Sequence, residues 1–379
     1  MEKKGGISFG RWEAVTLLIN LICTKLFLYF PRMIAGEAGT AGWMLTLYIS
    51  VLTLVLFLLL IKGTKRFEGK DLIDIAGIAG GSPLRIVCGL VITGTLFYLS
   101  STVLREFSED MKVVSLPISP ISYIMIIFII GIVAGSYLGM EPIVRYHAII
   151  VPVIAAGYII ILLGAAPQMD STNLLPVLGN GAYNIFAKGF FKISVFGELI
   201  ILFLLPPFLK SYKNVRTAGY AAIGFSSFFL VIGTLVYLLV FPYPSNLEQI
   251  LPIFQLARLI HLGRFFQRIE AIFIFIWAMA AFLYLTAVFY FMLYAFAKTA
   301  GLKYIRPLIL PFGVLVFSSA FLPPNLVAVV KMNMWFFSGS AWLITFVFTG
   351  IILLLANMRK KAQKESDQKG GCQKEGEEE

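Results

Sequence analysis

Apolar positions in this chain do not alternate with polar ones. They run together in blocks of about twenty residues, separated by short stretches that hold most of the charge. A block of that length crosses the ~30 Å hydrocarbon core of a bilayer as a helix. The pattern predicts an all-α integral membrane protein of ten spans, at about 12–30, 41–61, 83–104, 120–139, 143–165, 190–209, 217–241, 266–297, 304–322 and 334–357. Residues 1–11 are expected as a cytoplasmic N-terminus and 12–357 as one ten-helix membrane domain. Residues 358–379 are expected as a disordered cytoplasmic tail, because RKKAQKESDQKGGCQKEGEEE buries too little apolar area to offset chain entropy. Two connections, 166–189 and 242–265, are too long for simple turns and are expected to pack over the outer mouth.

Two blocks are interrupted. The sixth, FFKISVFGELIILFLLPP at 190–207, has Gly197 beside Glu198, and the first contains Lys25 within CTKLFLYFP at 23–31. A charge at mid-membrane costs roughly 2.5–3.5 kcal/mol on insertion scales, so each needs a partner or a task. Counting 1.5 Å per residue from the two membrane faces puts both charges at similar depth, roughly 20 Å from the inner face, which predicts a Lys25–Glu198 ion pair. Each half of five spans opens with an interrupted segment, and an odd number of spans inverts the second half relative to the first. This is the plan of inverted-repeat transporters, whose ligand lies between two broken helices. Cys23, Thr24 and Lys25 in the first segment and Phe196, Gly197 and Glu198 in the sixth are therefore the candidate ligand-binding residues. Tyr98 and Trp277, well inside the third and eighth segments, are candidates to line the same cavity, with plain core packing as the alternative. Arg268 and Glu270, at the outer boundary of the eighth segment, are expected as a structural or gating ion pair.

Composition narrows the reading. Hydrophobic residues make up 59% of the chain and charged residues only 13%, which a soluble domain rarely reaches. The net charge of +11 comes from basic residues lying between apolar blocks, so it reports topology and not nucleic-acid binding. With a cytoplasmic N-terminus, the inner side holds more than twice as many basic residues as the outer, which predicts that both termini are cytoplasmic. The first block carries Glu13 and Lys25 and lacks a small-residue cleavage site, so it is expected to remain as a helix. Three cysteines give neither a disulfide framework nor a metal spacing, and His147 and His261 lie far apart at helix boundaries. With no phosphate loop, nucleophile elbow or HExxH, neither an enzyme, a cofactor nor a metal is expected.

Several strings, weak singly, keep a common order and spacing along residues 8–357. They are FPR at 30–32 followed by AGTAGW at 38–43, VLREF at 103–107, GMEPIVR at 139–145, LLPV at 174–177, FGE at 196–198 and FFQRIEAIFIFIW at 265–277. Together they resemble the spore germination permease family, the B subunits of bacterial spore germinant receptors, within the amino acid, polyamine and organocation transporter superfamily. The resemblance implies ten helices in a five-plus-five inverted repeat, a spore inner-membrane location, and assembly with an A subunit and a lipoprotein C subunit. It also implies a nutrient-sensing subunit that binds a small germinant, an amino acid being the leading expectation, in a permease-like pocket. The alternative is a proton-coupled amino-acid permease in which Lys25 or Glu198 cycles its proton. One departure matters: many relatives have glycine and small residues where this chain has Cys23, Thr24 and Lys25, which suggests that Lys25 tunes ligand choice.

Overall fold

The computed structural model describes residues 9–260 and 270–361, and every regular element among them is helical. The first helix, α1 (Arg11–Cys23), has Glu13 in its first turn, where a carboxylate complements the helix dipole. It tightens into a 3-10 turn at Thr24–Phe27 and restarts as α2 (Phe30–Ala38), with Pro31 in the first turn, where no N–H is needed. The interrupted segment thus continues one helix beyond the expected stop at residue 30. Helix α3 (Gly42–Thr64) returns across the bundle, and α4 (Leu72–Val114) begins at Asp71, whose side chain accepts a hydrogen bond from the Asp74 amide. Gly81, at φ 73°, breaks α4 into a short arm and a long span, because few side chains tolerate that left-handed backbone.

Helices α5 (Ile121–Leu138) and α6 (Met140–Gly164) meet at Gly139, φ 95°. The segment Gly189–Leu204 is wound as a 3-10 helix with non-helical angles at Phe196, and α7 (Pro206–Leu209) ends it. Then come α8 (Tyr212–Val240), α9 (Pro252–Arg258), α10 (Glu270–Thr299), α11 (Arg306–Ser319) and α12 (Leu326–Trp335), the last continuing as wider π-turns toward the C-terminus. Seven described helices are long and apolar enough to cross a membrane.

Burial sorts the helices into a centre and a sheath. Residues 14–23 of α1 and 193–204 of the Gly189–Leu204 helix are buried all round, as expected of elements with protein on every side. Around them α3, α5, α6 and α11 expose apolar stripes such as Val51, Val55 and Leu59, or Leu310 and Val314, which suits contact with lipid tails. α10 packs along α4 and α6, while α1 lies against α6, α8 and the Gly189–Leu204 helix.

The two ends of the bundle are fastened differently. At one end Lys298 Nζ reaches Asp71 Oδ2 at 2.5 Å and Asp74 Oδ2 at 2.6 Å, while the Tyr294 hydroxyl donates to Asp71 at 2.7 Å. At the other end the connection over residues 166–189 folds onto the bundle, with the Asn180 amide donating to Ala38 O at 3.1 Å and Asp170 N to Leu239 O at 2.9 Å. Tyr237 donates its hydroxyl to Asn246 O in the following connection. Lys192 and Glu37, 3.2 Å apart, tie the Gly189–Leu204 helix to α2 at this end.

Two boundaries differ from the hydropathy reading. The third span does not stop at 104: α4 runs to Val114, so Arg105 is a buried helical residue and not part of an outer loop. Charges ended the apolar block, but Arg105 finds Glu109 at 2.7 Å, and the carbonyls of Ala320 and Pro324 at 3.4 Å, so the helix carries them inward. Likewise Lys331 lies in α12 and not in a loop. The cap at Asn325, whose side chain accepts from Ala328 N, starts that helix earlier than hydropathy suggested.

Candidate functional site

The two interruptions meet at the centre of the bundle. At the first, Thr24 donates its hydroxyl to Asn20 O at 2.7 Å, and Leu28 (φ −100°, ψ −108°) leaves helical geometry altogether. Asn20 itself donates to Ala280 O at 3.1 Å, anchoring this stretch to α10. At the second, Phe196 (φ −92°, ψ 21°) disturbs the helix and frees carbonyl oxygens that need donors. Lys25 Nζ supplies one, donating to Val195 O at 2.5 Å, and the Thr345 hydroxyl supplies another, donating to Gly197 O at 2.6 Å. Gly197 also permits a close approach, since a Cβ there would sit 2.8 Å from the Ala341 Cβ.

Lys25 and Glu198 are in contact, Nζ to Oε2 at 2.6 Å, and both are buried. The Tyr284 hydroxyl on α10 donates to the other Glu198 oxygen at 3.3 Å, and the Phe337 ring lies 4.1 Å from Lys25 Nζ, a cation–π distance. An ammonium taken out of water is thus met by a carboxylate, a carbonyl and an aromatic face, which is what a buried ion pair needs to recover its desolvation cost. The pair spans the two breaks, so moving either segment strains it.

A cavity of about 10 Å³ lies beside the pair, lined by Thr24, Lys25, Leu28, Tyr29, Val103, Glu106, Glu198, Tyr284, Asn333 and Phe337. That is close to the space of one water and far below the roughly 300–1,000 Å³ of pockets for small ligands. This conformation is closed.

Of the candidates read from sequence, Thr24, Lys25 and Glu198 line this cavity, and Phe196 and Gly197 form the break behind it. Cys23 faces away, into a separate apolar cavity of about 30 Å³ with Asn20, Tyr158 and Phe229. Tyr98 and Trp277 do not line the central cavity. Tyr98 donates to Met332 O at 3.0 Å and packs on Phe336. Trp277 is enclosed by Phe107, at 4.5 Å between ring centroids, and Phe273, at 5.7 Å. Depth along a helix was the ground for both, and depth does not say which way a side chain faces. Arg268 lies outside the described residues, as does His261; Glu270 lines an open depression at the surface with Glu248 and Arg258.

Glu106, Asn333 and Tyr29 are the residues that sequence reasoning passed over. Glu106 is fully buried on α4 and accepts from the Asn333 side-chain amide, bridging to α12. Its signal was present in VLREF, a carboxylate one helical turn beyond the polar run Ser100–Thr102 and four residues before another buried acid, Asp110.

A family model described as "Spore germination protein" matches residues 11–327. Spore germination protein YndE of Bacillus subtilis strain 168 is 23% identical over 80% of this chain and 83% of its own length. Spore germination protein B2 of the same organism is 22% identical over 55% of this chain and 57% of its own length. Among solved structures, MHP1, a nucleobase-cation-symport-1 family transporter in a closed conformation with bromovinylhydantoin bound, superposes with a TM-score of 0.63 at 10% identity, covering 92% of this chain and 78% of that one. MhsT in complex with L-phenylalanine superposes with a TM-score of 0.64 at 15% identity, covering 92% and 88%. At such identities the likeness is one of fold, and the fold is that of these transporters. The family match runs through both interrupted segments and most of the helices around them, and on that ground the chain belongs to the spore germination protein family, as an integral membrane protein with a receptor-like or permease-like role.

Proposed function

We propose that this protein is the nutrient-sensing subunit of a spore germinant receptor, which binds a small germinant, most simply an amino acid, at the junction of its two interrupted segments. Counting each interrupted segment once, the chain crosses the spore inner membrane ten times, in two halves of five with the second inverted. Both termini lie in the cytoplasm, and an A subunit and a lipoprotein C subunit are its partners. The membrane domain is 12–357, with 358–379 as a cytoplasmic tail.

The observation that carries this reading is the Lys25–Glu198 pair, which spans the two breaks at 2.6 Å beside a cavity of about 10 Å³. A cavity that small has no room for an amino acid, so a ligand of that size must favour another arrangement of the two segments. A ligand shifts such an equilibrium by its differential affinity for the two arrangements, and the shift is what a partner subunit reads. Glu198, Lys25 and Thr24 are the residues we assign to the pocket, with Phe196 and Gly197 as the moving break. MhsT, of similar fold, is described in complex with L-phenylalanine, which favours an amino acid as the ligand class here.

The test screens purified protein against amino acids, sugars and nucleosides by thermal shift, then carries the stabilising compound into spores. Spores with Lys25→Met and Glu198→Gln together should not respond to it, yet should germinate with a stimulus that bypasses receptors. The competing reading is a proton-coupled amino-acid permease, and the transporter fold is what favours it. Uptake of labelled germinant by reconstituted protein alone, at a turnover typical of permeases, would decide for that reading.

A further inference from the structure

Two buried polar atoms around the central cavity lack a hydrogen-bond partner among the described residues. They are the Tyr29 hydroxyl and Asn333 Oδ1, and Tyr29 is 2% exposed and Asn333 wholly buried. Beside them Glu106, 1% exposed, accepts the Asn333 side-chain amide at Oε2. Buried polar groups are rarely left this way, and each residue lines the cavity.

Charge points the same way. The lining contains two carboxyl groups, Glu106 and Glu198, and one cation, Lys25. Lys25 is committed to Glu198 at 2.6 Å and to Val195 O at 2.5 Å, and Glu198 is further engaged by Tyr284, so among the described residues the second carboxyl group has no salt bridge of its own. Arg105, its neighbour in sequence, turns away to Glu109 at 2.7 Å. One turn along α4, Asp110 is buried with Oδ1 unpartnered among the described residues. A carboxylate oxygen, an amide oxygen and a phenol oxygen can together accept three hydrogen bonds, and a primary ammonium group has three to give.

Resting on the reading of this cavity as the nutrient site, we propose that Glu106, Asn333 Oδ1 and Tyr29 Oη form the subsite for a primary ammonium group of the ligand. The receptor then takes an amine-bearing nutrient, and Glu198, already paired with Lys25, is not the residue that receives the amine. Glu106 links α4 to α12 through Asn333 and lines the cavity together with Tyr29 of the first break, so an ammonium held there joins three elements.

Four small compounds bound to the full chain in lipid nanodiscs at constant ionic strength test this: propylammonium chloride, 1-propanol, sodium propionate and sodium chloride. Calorimetry on the wild type should show propylammonium binding roughly 10- to 100-fold tighter than propanol or propionate, the usual gain from charge-assisted hydrogen bonds. Glu106→Gln should remove most of that preference while leaving propanol unchanged. Equal binding of propanol, propionate and propylammonium to the wild type would overturn the subsite and leave the nutrient pocket standing, even if Glu106→Gln failed to fold. Full affinity for propylammonium in Glu106→Gln, or an equal binding heat from sodium chloride, would overturn it as well. Should no amino acid, sugar, nucleoside or small amine bind the wild type, the pocket reading itself falls and the subsite with it.

Discussion

Neutralising Lys25 and Glu198 one at a time, and then together, tests whether the pair holds the two breaks closed. Lys25→Met removes contacts of 2.6 Å to Glu198 and 2.5 Å to Val195 O, leaving the Glu198 carboxylate with Tyr284, at 3.3 Å, as its side-chain donor. An uncompensated charge at a fully buried site costs about 3–5 kcal/mol. Glu198→Gln leaves the ammonium of Lys25 with Val195 O, the Phe337 ring at 4.1 Å and a new amide oxygen, which puts its cost near the lower end, about 3 kcal/mol. The double variant buries no charge and leaves chiefly Val195 O without its donor, a cost of about 1–3 kcal/mol. The singles together should therefore exceed the double by about 3 kcal/mol or more. Equilibrium unfolding by SDS in mixed micelles, followed by circular dichroism, measures all three. Costs that add to within about 0.5 kcal/mol would refute a direct pair and with it the idea that closure rests on this contact.

Other expectations are simpler. Gly197→Ala should destabilise the protein by about 1–3 kcal/mol, because its Cβ would lie 2.8 Å from that of Ala341, and Ala341→Gly should restore much of the loss in the same unfolding assay. Lys298→Met leaves Asp71, fully buried, facing Asp74 without a cation, so the nearby buried thiol of Cys88 should react faster with maleimide in a background lacking Cys23 and Cys372; an unchanged rate would show that this end does not open. Lys192→Gln should change stability by less than about 1 kcal/mol, since its pair with Glu37 is partly exposed. An impermeant thiol reagent should leave Cys372 unlabelled in sealed right-side-out vesicles, and labelling there would reverse the proposed topology.

Lys25 and Glu198 were legible because a charge inside an apolar block has few ways to be satisfied, and counting residues inward from each membrane face brought the two to one depth. Their contact required no knowledge of the other helices. Trp277 and Tyr98 show the limit of the same method: depth was right enough, but the direction of a side chain around the helix axis depends on neighbours such as Phe107 and Phe336, which are remote in sequence. Glu106 was hidden for another reason. A hydropathy window treats a carboxylate as the end of a span, and only the partner on α12, some two hundred residues later, shows how α4 carries it into the core. Lys331 was misplaced likewise, because Asn325 opens α12 with a cap that an average over apolarity does not register.

The winding of the Gly189–Leu204 helix has a mechanical consequence. A 3-10 helix rises about 2.0 Å per residue and an α-helix about 1.5 Å, so the segment is longer than the same residues would be as an α-helix. Over its 16 residues, rewinding as an α-helix would draw the ends together by about 8 Å, more than one full helical turn. One end is held to α2 through Lys192 and Glu37, and the other runs into the prolines that open α7. A change of winding would therefore shift one end of the segment along the bundle while Lys25 holds Val195 O near its midpoint.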